Sequence, residues 1–202
     1  MLPLVLALLA VAPSFATETW TWKAQVDLNR DGTRETVALK PFTQEGVRLG
    51  QLVVLDRRGR VLWAGPRRSA VPQCPSEPLV FGGEFDLGEV EVAGDLDGDG
   101  AVELLGTYQQ SDVRPVRFRL LRWTGDRFVH VRSGCLVPAE GRPGTWVWKP
   151  QAPDASTWIL GFRALLPDGT LRAERMDLGG ETPAANLELI LRATPEGFQS
   201  TR

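Results

Sequence analysis

The chain has 202 residues, 23 basic against 25 acidic, a net charge of −2 and a single histidine. Its basic residues are scattered rather than clustered, which argues against nucleic acid as a partner. The length suits one domain or a short array of small repeats, and it is enough to bury a real core.

Met1 to Ala16 holds an apolar run from Leu2 to Val11, then Pro13 and the small residues Ser14 and Ala16 at cleavage-site spacing. This pattern predicts a secretory signal peptide. The run is too short to span a bilayer, which takes roughly 20 apolar residues. The mature chain is therefore expected to begin near Thr17, to be secreted or periplasmic, and to carry no transmembrane segment.

Beyond the leader, apolar residues recur with period two rather than 3.6. In Val116-Arg117-Phe118-Arg119-Leu120, for example, the apolar residues take one face of a strand and the arginines the other. With 21 glycines and 15 prolines marking frequent turns, the expected class is all-β. In chain order, an acidic loop at Asp27–Glu35 leads into a strand at Glu35–Leu39, and a hairpin follows from Leu52 to Trp63. A second acidic loop at Asp95–Glu103 leads into a strand at Glu103–Thr107 and a hairpin from Val116 to Val131. A third stretch has strand patterns at Thr157–Leu166 and Thr170–Met176, then a hairpin from Leu187 to Phe198, but no acidic loop. Asp168-Gly169-Thr170 reads there as a plain turn. The expected organisation is one domain of about three hairpin or blade-like units (17–70, 80–137 and 144–202), arranged as a partial propeller or a compact sandwich.

The two acidic loops share one template and start 68 residues apart. Each sets oxygen-bearing side chains at positions 1, 3, 5 and 9 and glycine at position 6, so that a tight turn converges hard oxygens on a hard cation. The first would use Asp27, Asn29, Asp31, Glu35 and the Thr33 carbonyl; the second Asp95, Asp97, Asp99, Glu103 and the Ala101 carbonyl. Position 12, where an EF-hand needs a bidentate glutamate, holds Ala38 and Gly106, and strands rather than helices follow. Structural calcium is thus expected in loops that are not EF-hands. The competing possibility is two ordinary polar hairpins, since Asp-Gly is a favoured turn.

Gly94-Asp95-Leu96-Asp97-Gly98-Asp99-Gly100 followed by Glu103-Leu104-Leu105-Gly106 resembles the calcium loop and exit strand of FG-GAP repeats, found in integrin α-subunit propellers and bacterial VCBS-type secreted proteins. Asp27 to Leu39 resembles the same motif. The resemblance covers about a third of the mature chain and implies blade-like units whose loops bind calcium structurally through the residues just named. Glu35 and Glu103 stand where the family usually has aspartate, and Arg30 replaces a common glycine.

Cys74 and Cys135 are the only cysteines, and in an exported chain they form either a disulfide or two separate buried thiols. His130 alternates with Val129 and Val131, which predicts an exposed strand position, and with no Gly-x-Ser-x-Gly elbow a catalytic triad is not expected. Glu84, Asp86, Glu89 and Glu91 form an acidic cluster that carboxylate-based glycosidase chemistry could use. Seven tryptophans are available either for core packing or, in the period-two pairs Trp20/Trp22 and Trp146/Trp148, for stacking on sugars. The function expected is a calcium-stabilised, non-enzymatic binding module with a protein or carbohydrate ligand at the cell surface; the alternative is a secreted carbohydrate-active hydrolase.

Overall fold

A computed structural model describes residues 20–68, 77–83, 89–109, 116–151, 158–177 and 187–201. The leader, Cys74, Glu84 and Asp86 lie outside the described residues. Among those described there is no helix, and the all-β class expected from the sequence is what the chain adopts.

Strands β1 (Trp22–Val26), β2 (Glu35–Gln44), β3 (Val47–Leu55) and β4 (Val61–Ala64) pair in order, and β5 (Val80–Gly82) joins on β3 to complete a five-stranded antiparallel sheet. Strands β6 (Val90–Gly94), β7 (Glu103–Gln109), β8 (Arg117–Trp123), β9 (Phe128–Pro138), β10 (Thr145–Lys149), β11 (Trp158–Leu165), β12 (Leu171–Asp177), β13 (Leu187–Thr194) and β14 (Gly197–Ser200) form a second sheet. Its order is β11-β12-β13-β14-β10-β9-β8-β7-β6, and its two ends approach each other, so the sheet is nearly a closed barrel. The three predicted hairpins correspond to β3–β4, β8–β9 and β13–β14.

Period-two alternation explains how one sheet serves two cores. On β8, Phe118 faces the barrel interior, where each of the nine strands contributes a buried residue, from Val92 on β6 to Phe198 on β14. The alternate residues Leu121 and Trp123 face outward and pack with Val37, Leu52 and Phe81 of the first sheet. The arginine face of β8 is therefore covered by the five-stranded sheet, and Arg119 is completely buried there. All seven tryptophans lie in or against a core: Trp146, Trp148 and Trp158 in the barrel, Trp22, Trp63 and Trp123 between the sheets, and Trp20 on the outer face of the first sheet. Trp20 and Trp22 thus do not share a platform.

The barrel closes at β6 and β11 through a bulge. Val90 pairs with Gly106 and Val92 with Leu105, leaving Glu91 as the extra residue. Val90 consequently faces the inter-sheet core and Val92 the barrel interior. Glu91 itself turns across the gap, and its Oε2 accepts a hydrogen bond from the Phe162 backbone amide at 2.6 Å. Burial pushes the Glu91 carboxyl up to about 7, against the opposing effect of that amide and of Arg163.

Candidate metal centre

Each acidic loop is an eight-residue connection closing an antiparallel pair. Val26 is paired with Glu35 across the first and Gly94 with Glu103 across the second. Position 2 is a buried leucine in both, Leu28 and Leu96, which roots the loop in a core. The position 9 glutamate reaches back to accept the amide of that leucine, Leu28 to Glu35 Oε2 at 2.9 Å and Leu96 to Glu103 Oε2 at 3.0 Å. Positions 4 and 6 lie in the left-handed region, with φ of 58° at Arg30 and 80° at Gly32 in the first loop, and 78° at Gly98 and 94° at Gly100 in the second. Position 4 therefore favours glycine, and Arg30 holds there a conformation that costs a non-glycine residue about 1 kcal/mol.

The loops match in backbone but not in charge. The first carries Asp27, Asp31 and Glu35 against its own Arg30 and Arg34, while the second carries Asp95, Asp97, Asp99 and Glu103 with no internal cation. In the first, the oxygens are engaged locally. Asp27 accepts the Asp31 and Gly32 amides at 3.2 and 2.9 Å, Asp31 accepts that of Thr33 at 2.7 Å, and Asn29 accepts the Trp123 indole N–H at 3.4 Å. Thr33 and Glu35 border an open cleft with Arg57, Arg58 and Arg60. The carboxylates of this loop make no three-membered metal-holding group.

The second loop does gather its carboxylates. Asp95, Asp97 and Asp99 each offer one oxygen, and these oxygens lie within 4.8 Å of one another, an arrangement that can hold a metal ion. Oxygens bound to one calcium ion at about 2.4 Å lie no more than about 4.8 Å apart, so three oxygens this close can share one ion. Each aspartate also accepts one loop amide, Gly98 to Asp95 at 2.8 Å, Asp99 to Asp97 at 3.2 Å and Ala101 to Asp99 at 2.8 Å, which fixes the carboxylates in place. The Ala101 amide is the main reason that the Asp99 carboxyl titrates below its ordinary range.

Two arginines meet this cluster, Arg30, which the sequence marks only as a replacement for glycine, and Arg122, which it does not mark. Arg30 comes across from the first loop, with Nη2 3.2 Å from Asp95 Oδ2. Arg122 of β8 stands directly opposite Glu103 in the β7–β8 ladder and reaches Asp97 at 2.8 Å, Asp99 at 3.0 Å and Glu103 at 2.8 Å. The contact with Glu103 is incomplete. Glu103 is wholly buried, and its Oε1 and the Arg122 Nε, though 2.8 Å apart, both lack a hydrogen-bond partner. Burial pushes the Glu103 carboxyl up to about 7, helped by Asp97 and opposed by the Leu96 amide and Arg122.

The remaining predicted positions are less concentrated. Cys135 is buried on β9, and its expected partner Cys74 is outside the described residues. His130 is exposed, as alternation predicts, and its Nε2 contacts the Ser133 hydroxyl at 2.7 Å. Glu89 borders a cavity of about 270 Å³ between the sheets with Trp22, Leu39, Arg48 and Phe81. Glu91 closes the barrel seam instead. Compared with family models, curated proteins and solved structures, the chain matches none.

Proposed function

We propose that this is an exported, calcium-stabilised β-protein acting as a non-enzymatic binding module, with FG-GAP-like acidic loops and a protein or carbohydrate ligand at the cell surface. The second loop is the principal calcium site. Asp95, Asp97, Asp99 and Glu103 would supply side-chain oxygens and Ala101 its carbonyl, and the ion would hold the β6–β7 turn between the two cores. The observation that carries this reading is Glu103, a buried carboxylate at the edge of a three-aspartate cluster, with one oxygen that meets Arg122 Nε at 2.8 Å off the line of a hydrogen bond. Four carboxylates on one short loop repel one another, and a divalent ion offsets that repulsion as no neutral partner can. The role is structural rather than catalytic because the ligands come from a loop pinned by its own amides.

The test is the thermal melt of the mature protein, followed by tryptophan fluorescence, in chelator and across a calcium titration. The expected result is a midpoint that rises and saturates with calcium but not with magnesium, and that no longer rises when Asp97 and Asp99 are both changed to Asn. An unchanged midpoint up to millimolar calcium, the range of weak extracellular sites, would overturn the reading.

A further inference from the structure

We infer that Arg122 is a built-in substitute for the metal: in calcium-free protein its guanidinium neutralises the second loop, and calcium displaces it into the adjoining cavity. This rests on the calcium reading above. The geometry supporting it is the threefold contact of one guanidinium with Asp97, Asp99 and Glu103, at 2.8, 3.0 and 2.8 Å. Two of these residues belong to the aspartate cluster itself, so calcium and guanidinium draw on the same oxygens.

The fit of Arg122 is also imperfect where it is most buried. A guanidinium shaped for a carboxylate presents two parallel N–H bonds to it. Here Arg122 gives one nitrogen to each of three carboxylates, and its Nε meets Glu103 Oε1 at 2.8 Å as an ion pair off the line of a hydrogen bond. The charges attract but the aligned bond is missing, which favours exchange for a ligand with no directional requirement. A spherical cation is such a ligand.

The displaced side chain has a place to go. Beside the loop is a cavity of about 250 Å³ bordered by Arg122, Leu120, Arg132, Trp148, Pro195 and Phe198. Arg132 already lies over the Trp148 ring, 5.8 Å from its centroid, so the aromatic wall accepts a guanidinium. Calcium occupancy would thus decide whether this cavity is open or filled by Arg122, coupling the metal to the surface next to it.

Calorimetric calcium titration of the full mature protein, with Arg122→Met and Arg122→Lys beside wild type, tests the exchange. Methionine keeps the apolar stem and removes the competing charge. Arg122→Met is expected to bind calcium tenfold or more tightly, and to melt lower than wild type in chelator but no lower in saturating calcium. Arg122→Lys, which keeps the charge but cannot span three carboxylates, is expected to fall between them, and it serves if the methionine variant does not fold without calcium. Equal or weaker calcium binding by the variants, with wild type binding normally, overturns the exchange and leaves the calcium site standing. No binding by any of the three overturns both. Binding by Arg122→Met alone supports the exchange while removing calcium from the native protein's function.

Discussion

Arg119 is the strongest test of how the two sheets are held together. Its Nη1 donates to the carbonyls of Pro78 at 2.9 Å and Val80 at 2.6 Å, and its Nε and Nη2 both donate to Thr107 O, at 3.2 and 3.1 Å. The guanidinium also lies over the Phe81 ring at 4.3 Å. One side chain therefore ties β5 of the first sheet to β7 of the second. Arg119→Met keeps the stem but leaves the buried carbonyls of Val80 and Thr107 without these donors, at about 1–3 kcal/mol each. Relief from burying a charge offsets part of that, so the net loss is expected to be about 3 kcal/mol. For a chain of this size such a loss corresponds to about 6–12 °C in Tm. Arg119→Lys should lose as much, because a single ammonium cannot reach both sets of carbonyls. The assay is denaturant unfolding, with amide hydrogen exchange at β5 as the local readout. A loss below about 1 kcal/mol with unchanged exchange in Val80–Gly82 would refute the clamp and assign inter-sheet cohesion to the apolar core alone.

Two further outcomes follow from single residues. Glu91 has a carboxyl raised to about 7 by burial, so its contribution to stability is fully present below about pH 4.5 and is lost as pH rises through 7. Glu91→Gln keeps an acceptor for the Phe162 amide and removes the charge; relative to wild type it should gain up to about 3 kcal/mol at pH 8 and almost nothing at pH 4.5. Parallel melting curves at both pH values would contradict this. At Arg30, glycine removes both the left-handed strain and an exposed ion pair with Asp95, two small effects of opposite sign. Arg30→Gly should therefore melt in chelator within about 0.5 kcal/mol of wild type, whereas Arg30→Ala, which keeps the strain and loses the pair, should be about 1 kcal/mol less stable; equal melts of the two variants would refute the strain.

What could be read from the sequence was what adjacent residues decide. Alternation and turn residues located β8–β9 and β13–β14, and the acidic template located both loops, because their geometry is set within nine residues. The β2–β3 hairpin was not legible: its two-residue turn, Glu45 at φ 52° and Gly46 at 80°, lacks the Asn-Gly or Asp-Gly signature. Nor was the continuity of the nine-stranded sheet, which joins β14 to β10. That join needs a glycine at position 197, where a Cβ would lie 2.0 Å from the Trp146 carbonyl oxygen. Composition likewise could not separate packing tryptophans from ligand-stacking ones, since both uses want the same side chain. Arg122 was hidden for a similar reason: only the β7–β8 register sets it opposite Glu103.

That register also explains why two loops of one template need not do the same work. The first loop carries its own arginines and engages its acids with its own amides, so its residual charge is small and local. The second has four acids and, where the first has Arg34, a valine at position 8, Val102, committed to the inter-sheet core. It has no internal means of neutralisation and must draw cations from outside itself. Arg30 supplies one from the first loop, and Arg122 supplies another from β8. Arg30 also faces the three acids of its own loop, so the seven acids of the two loops meet Arg30, Arg34 and Arg122, an excess that a divalent ion would lower. The cavity bordered by Arg122 and Trp148 would let that arginine stay near the loop as it yields its place among the aspartates.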